Sequence, residues 1–267
     1  MNHQHFIDLL YHTHKAEWEA TPSAQEAISW LNDLVQFMFP GGNHLPNQKS
    51  YKSVLKKSQV DLENILFSYL DKQPLNVEGT VSAFYSEIET IYKKLRLDAS
   101  KIYEFDPAAS SVNEVITCYP GFYAITVYRI AHELVKLNVP VLPRILSAFA
   151  HRNTGTDIHP GAVIGVPFMI DHSTGIVIGG TAVIGDNVSI YQGVTLGALQ
   201  VAKAQAEVKR HPTVEDNVII YARSTILGGN TVIGKNSIIG GSVFLTQSVE
   251  PDSAVFNTHQ LRKTQRK

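Results

Sequence analysis

The residues able to do chemistry stand where a regular pattern fails. The second half of the chain alternates aliphatic and small residues, but at Ile170-Asp171-His172-Ser173-Thr174-Gly175 a position otherwise given to a small residue carries Asp and is followed by His. Imidazole takes and returns a proton near neutral pH, and a carboxylate fixes its tautomer and stabilises the imidazolium. His172 with Asp157 or Asp171 is therefore a candidate acid–base pair. Asp157 precedes His172 by 15 residues, slightly less than one turn of the repeat described below, which predicts a hydrogen bond between adjacent turns. A second interruption, residues 198–212, ends in Lys209-Arg210-His211. Arg210 can clamp a carboxylate through two parallel hydrogen bonds, and His211 can donate to the same group. Base, acids and cation together suit a zwitterionic substrate bearing a hydroxyl. Several histidines also raise a zinc site, but the Arg and Asp neighbours suit an organic substrate better, so no metal is expected. His132, His151 and His159 are assigned to surface or structural positions.

These groups need a rigid carrier. The first 150 residues hold four glycines and the remaining 117 hold fourteen, a change of composition that marks a domain boundary. Beyond it the aliphatics recur every six residues: Ile158, Ile164 and Ile170, then after a two-residue slip Ile178, Ile184, Ile190 and Leu196. Val214 and Ile220 follow the interruption, and a one-residue slip leads to Leu227, Ile233, Ile239 and Leu245. A helix of 3.6 residues per turn would scatter such positions around its circumference, and sandwich strands repeat at roughly 8 to 12 residues. A solenoid in which three hexapeptides make a coil of about 18 residues turns every aliphatic inward.

Before residue 150 the apolar positions have helical spacing: Ile28, Leu31, Leu34, Val35 and Met38 behind a Ser23/Glu26 capping box; Leu62, Ile65, Leu66, Tyr69 and Leu70; Phe84, Ile88, Ile91 and Leu95; and Phe122, Ile130, Ala131 and Leu134. Residues 39–43, Phe-Pro-Gly-Gly-Asn, form a loop. The fold class is α+β: a helical domain over residues 1–150 that caps a parallel β-helix over 151–255, with a basic tail at 256–267. A net charge of −1 gives no electrostatic reason for nucleic acid or an anionic membrane as partner. The single cysteine, Cys118, cannot form an internal disulfide, and the start of the chain lacks the basic and apolar regions of a secretory signal. No apolar run approaches the roughly 20 residues that span a bilayer. A soluble protein of the reducing cytoplasm is expected. Flat-sided coils also pack readily about a threefold axis and leave clefts for ligand between subunits.

Asp157-Ile158-His159-Pro160, the Asp171-His172-Ser173-Thr174-Gly175 run, residues 188–197 (Val-Ser-Ile-Tyr-Gln-Gly-Val-Thr-Leu-Gly) and Arg210-His211-Pro212 resemble the serine O-acetyltransferases among the hexapeptide-repeat acyltransferases. Asp106-Pro107-Ala108, Gly121-Phe122-Tyr123-Ala124 and Tyr128-Arg129-Ile130-Ala131-His132 resemble the segments that precede their coils. The likeness covers about residues 104–250. It implies left-handed coils, trimers or pairs of trimers, and direct transfer of acetyl from acetyl-CoA to L-serine, giving O-acetylserine for cysteine biosynthesis. By matched position it makes His172 the general base and Asp157 its orienting carboxylate. Asp106 and Asp171 would hold the substrate ammonium, and Arg210 and His211 its carboxylate. Coenzyme A along the solenoid would meet the backbone at Gly197, Ala198, Ala222 and Gly240.

The chain departs from the family in three places. Residues 198–209 are longer and poorer in glycine than the family's loop, and Tyr221-Ala222-Arg223 replaces a run of small residues. The terminus is Arg266-Lys267 rather than the isoleucine with which some members dock into O-acetylserine sulfhydrylase, so no such complex is expected. Two alternatives are a hexapeptide acyltransferase acting on a sugar or amine and a non-catalytic solenoid scaffold. The first has no need of ammonium and carboxylate partners together, and the second has no need of all six candidate polar residues in one chain.

Overall fold

The computed structural model describes residues 3–17, 21–68, 75–199 and 208–258. The basic stretch of the tail, with the last residues of the chain, lies outside the described residues, as do Tyr69 and Leu70 and the middle of the 198–212 interruption. Helices come first: α1 (Gln4–Glu17), α2 (Ala24–Met38), α3 (Gln48–Phe67), α4 (Val77–Ser86), α5 (Ile88–Phe105), α6 (Val112–Cys118), α7 (Pro120–Lys136) and α8 (Leu142–Thr154). Ser23 caps α2 by accepting from the Glu26 amide at 3.3 Å. The apolar stripe from Phe84 to Leu95 spans two helices rather than one. The chain turns at Glu87, where Ser86 Oγ donates back to the Ala83 carbonyl at 2.7 Å, a bond that bends helices by competing with the backbone ladder. No described helix is long and apolar enough to cross a membrane.

The strands follow: β1 (Thr156–Ile158), β2 (Val163–Ile164), β3 (Phe168–Ile170), β4 (Ile176–Ile178), β5 (Val183–Ile184), β6 (Val188–Ile190), β7 (Thr195–Gly197), β8 (Thr213–Val214), β9 (Ile219–Ile220), β10 (Thr225–Leu227), β11 (Val232–Ile233), β12 (Ile238–Ile239), β13 (Phe244–Leu245) and β14 (Ala254–Val255). Every named pairing is parallel. The strands form three faces, β1-β4-β7-β10-β13, β2-β5-β8-β11 and β3-β6-β9-β12-β14. Each coil visits the faces in that order, so the section is a triangle with three corners. The aliphatics of the six-residue period are the solenoid core: Ile158, Ile164, Ile170, Ile178, Ile184, Ile190, Leu196, Val214, Ile220, Ile233 and Ile239 are all buried.

One register differs from the sequence reading. Ile226, not Leu227, pairs with Leu196 and points inward, while Leu227 faces out opposite Gly197. The one-residue slip therefore falls after β10, at Gly228, whose φ of +104° is a backbone state that side chains resist. The first coil is also long: Thr156 pairs with Ile176, whereas Val177 pairs with Thr195. Its two extra residues are taken up at the corner that holds His172.

A parallel stack leaves unpaired backbone groups at its end, and α7 covers them. Tyr128 Oη donates to the Ala162 carbonyl at 2.7 Å, His132 Nδ1 to Pro160 O at 2.8 Å, and Arg129 Nη2 to Gly165 O at 3.0 Å. Arg129 also forms a two-point pair with Asp98 of α5 at 2.6 and 2.8 Å, and Asp98 accepts the Phe168 amide at 2.8 Å. Gly121 lets α7 lie so close to β3 that any side chain there would strike the Ile170 carbonyl. Removing one member of a fully buried ion pair strands the other and costs about 3–5 kcal/mol. Arg129→Ala is expected to destabilise the protein by that amount in chemical denaturation; a loss under about 1 kcal/mol would show that the pair does not tie the two parts together.

Candidate active site

The first candidate corner joins the third face to the first. The Asp171 amide still donates to Ile190 O at 2.9 Å, in ladder register. The chain then turns through His172 (φ +55°), Ser173 (φ +65°) and Gly175 (φ +80°). Two consecutive side-chain-bearing residues in the left-handed region cost free energy that the surroundings must offset. Buried Ser173 supplies part of this by pairing with Thr156 Oγ1 at 2.6 Å. The bulge drives His172 outward, its side chain 71% exposed and its Nε2 3.7 Å from Asp171 Oδ2.

The helical part meets this corner at the end of α5. Asp106 Oδ1 accepts the Ala108 amide at 2.8 Å, and its Oδ2 accepts the phenol of Tyr119, between α6 and α7, at 2.6 Å. These two donors, Tyr119 first, hold the Asp106 carboxyl below the usual carboxylate range, and the same bond pushes the Tyr119 phenol up to about 12. Asp106 also feels His172, and Tyr119 feels Asp171, so the four groups share one electrostatic neighbourhood. Below Asp171 on the same corner, Tyr191 stacks on Tyr221 with ring centres 4.9 Å apart.

The second candidate corner joins the first face to the second. The end of the 198–212 interruption packs here against Gly179-Gly180-Thr181. The His211 ring occupies the space that a side chain at Gly179 would fill. Thr181 Oγ1 accepts the amides of Arg210 (2.9 Å) and His211 (3.1 Å) and turns its own hydroxyl to His211 Nδ1 at 2.8 Å, which also takes the Thr181 amide at 3.1 Å. With Nδ1 acting as acceptor, the neutral ring carries its proton on Nε2. Burial, then the Arg210 charge, pushes the His211 pKa down to about 4. His159 lies over Gly180 and accepts the Gly161 amide on Nδ1 at 3.0 Å, which fixes the same tautomer; burial, then the Arg144 charge, lowers its pKa. Asp157 and Arg210 are also close enough for His159 to feel them.

The site residues thus fall into two groups within one protomer. Asp106, Asp171 and His172 come together at one corner, and Arg210 and His211 at another. Asp157 sits on the outer side of β1 beside Val177. Among the described residues, Asp171 is the carboxylate within 4.0 Å of His172, so the expected Asp157–His172 hydrogen bond is not made within a protomer. The reason is the 20-residue first coil: a spacing of 15 residues lands at the corner, not over the strand. Between the two corners run β4 and its flanks, roughly 15 Å of extended chain at about 3.3 Å per residue. Gly197 and Ala198 lie at the His211 corner, and Ala222 and Gly240 at the His172 corner lower in the stack. Sequence reasoning missed Tyr119, which has no periodic signal, and Thr181 with Gly179, for which the doubled glycine after β4 was the available sign.

A triangular hexapeptide solenoid with a histidine–carboxylate corner and a cationic corner defines the hexapeptide-repeat transferase class. No protein-family model matches the chain. The plasmid serine acetyltransferase of Synechococcus elongatus is 49% identical over 185 residues, which span 67% of this chain and 57% of that relative. The crystal structure of serine acetyltransferase isoform 3 from Entamoeba histolytica, in complex with cysteine, superposes with a TM-score of 0.80 at 34% identity, covering 89% of this chain and 84% of that one. The serine acetyltransferase of Neisseria gonorrhoeae in complex with serine gives 0.61 at 32%, covering 77% and 81%. The chain belongs to the serine acetyltransferase family.

His211 is held neutral in the folded protein with a pKa near 4, against about 6.5 when unfolded. The unfolded chain therefore binds the extra proton between these values, and stability present above pH 6.5 is lost as pH falls toward 4. His211→Gln is expected to flatten the pH dependence of the unfolding free energy in this window by up to about 1.4 kcal/mol per pH unit; an unchanged slope would show that the ring titrates normally.

Proposed function

We propose that this protein transfers acetyl from acetyl-CoA to the hydroxyl of L-serine, yielding O-acetylserine and coenzyme A. The observation that carries the reading is the corner at which Asp106 and Asp171 stand beside an exposed imidazole, His172. Two carboxylates suit an ammonium group, and an imidazole next to them is placed to receive the proton of a hydroxyl on the adjacent carbon. A sugar or simple amine acceptor offers nothing for the cationic corner to hold.

In the proposed reaction His172 removes the serine hydroxyl proton as Oγ attacks the thioester carbonyl. The C–S bond then breaks, and His172 passes the proton on to the leaving sulfur, giving coenzyme A thiol and neutral imidazole; because the serine oxygen attacks the thioester directly, no acyl-enzyme forms. A serine hydroxyl is a poor nucleophile until a base takes its proton during attack, a contribution of about 10²–10⁴-fold. Arg210 and the Nε2–H of His211 suit the serine carboxylate. Because these groups occupy different corners of one protomer, we assign the complete site to the cleft between protomers of a trimer. One chain would bring His172, Asp106 and Asp171, and its neighbour Arg210, His211 and Asp157, the last as the carboxylate that orients His172. Half-buried Ala198 and Ala222, whose side chains are small, leave room for an extended acyl carrier lying along such a cleft.

Thiol release from acetyl-CoA tests this. It is expected with L-serine in preference to homoserine, threonine or a hexosamine, and His172→Ala is expected to lower kcat at least about a hundredfold. Equal rates with every acceptor, or a fully active His172→Ala variant, would contradict it.

A further inference from the structure

We propose that Tyr119 is a positioning residue for substrate recognition: its phenol aims the Asp106 carboxylate at the ammonium group of the acceptor. The inference rests on the serine reading above and names a group that the family resemblance leaves out. Asp106 ends α5, and its backbone is held by the turn that follows, with the Ala109 amide on its carbonyl at 3.1 Å. Its side chain is less constrained. The Ala108 amide on Oδ1 pins one oxygen, but a carboxylate held at one oxygen can still swing about that bond. The Tyr119 phenol, at 2.6 Å on Oδ2, fixes the second oxygen and with it the carboxylate plane.

Each carboxylate oxygen offers about two acceptor directions. One direction on each is used, which leaves the other for an ammonium ion with three donors. The single hydroxyl proton of Tyr119 goes to Asp106 Oδ2, so the phenol takes up one acceptor direction there and brings no further donor to compete with the ammonium for the rest. Both ends of the bond lie within electrostatic reach of the reacting corner: Asp106 feels His172 and Tyr119 feels Asp171. The phenol is not needed to start α7: Tyr119 makes no side-chain cap there, and its backbone contacts, N to Val115 O at 3.1 Å and O from Tyr123 N at 3.2 Å, do not involve the ring. Tyr119→Phe therefore removes one oxygen and leaves the helix junction its main-chain bonds.

The test compares two ligands that differ only in the ammonium group. L-Serine carries it; 3-hydroxypropionate has the same hydroxyl and carboxylate without it. With the full-length protein at saturating acetyl-CoA, Tyr119→Phe is expected to raise KM for L-serine about tenfold, the scale of one hydrogen bond to a charged group. The inhibition constant of 3-hydroxypropionate, kcat and the thermal midpoint are expected to stay within about twofold or a few degrees of wild type. A merely structural phenol would weaken both ligands together. Equal changes in the two constants, or no change in either, would overturn the inference while leaving the serine reading intact. A wild-type protein that releases no thiol with L-serine would overturn the reading and the inference with it.

Discussion

The open end of the coil stack is the constraint on which the other features depend. Parallel coils hydrogen-bond to the coil before and after, so the first has a row of backbone groups with no strand to meet. Here α7 lies across that end and satisfies it with Tyr128, Arg129 and His132 rather than with another strand. Arg129 is held by Asp98 of α5, and Asp98 in turn by the Phe168 amide of β3. A charge pair this deeply buried is costly to desolvate, but each member is hydrogen-bonded both by the other and by the backbone. The result is a fixed relation between α5, α7 and the first coil.

That fixed relation is what puts Asp106 near His172. Asp106 is the residue that ends α5, and Tyr119 is the residue before α7, so the two helices that plug the stack also deliver two polar side chains to its third-to-first corner. The long first coil completes the corner by pushing His172 out through two left-handed residues. A further tie runs down another edge. Lys101 of α5 donates to Asn187 Oδ1, Asn187 to Asn217, Asn217 to Asn236, and Asn236 to Asp252. Each of these asparagines is in the left-handed region, where Asn is tolerated better than most residues. The chain of amides runs from a cation to a carboxylate, so all its dipoles point one way.

Much of this was legible in the sequence because it is local or periodic. A six-residue aliphatic period has one structural solution, and Ser23 with Glu26 announced the start of α2. What failed was register at corners. Leu227 and Ile226 are adjacent aliphatics, and only the turn at Gly228 decides which points inward. The 15 residues from Asp157 to His172 amount to most of a coil of about 18 residues, but the two extra residues at the His172 corner make the first coil 20. Tyr119 was silent for a different reason: its partner lies across a helix junction, and neither spacing nor composition marks such a contact. The division of the polar residues between two corners was equally hidden, since sequence order does not say which corner of the triangle a loop returns to.

The division into two corners leads to a measurement on mixed assemblies. His172→Ala removes the base from one corner, and Arg210→Glu reverses the charge at the other, so each variant alone is expected to be inactive with L-serine. Co-expressed in equal amounts, they are expected to recover roughly a quarter of wild-type activity, because random assembly about a symmetry axis pairs an intact His172 corner with an intact Arg210 corner at that frequency. A mixture as inactive as its components would contradict a site shared between protomers and would return both corners to a single chain.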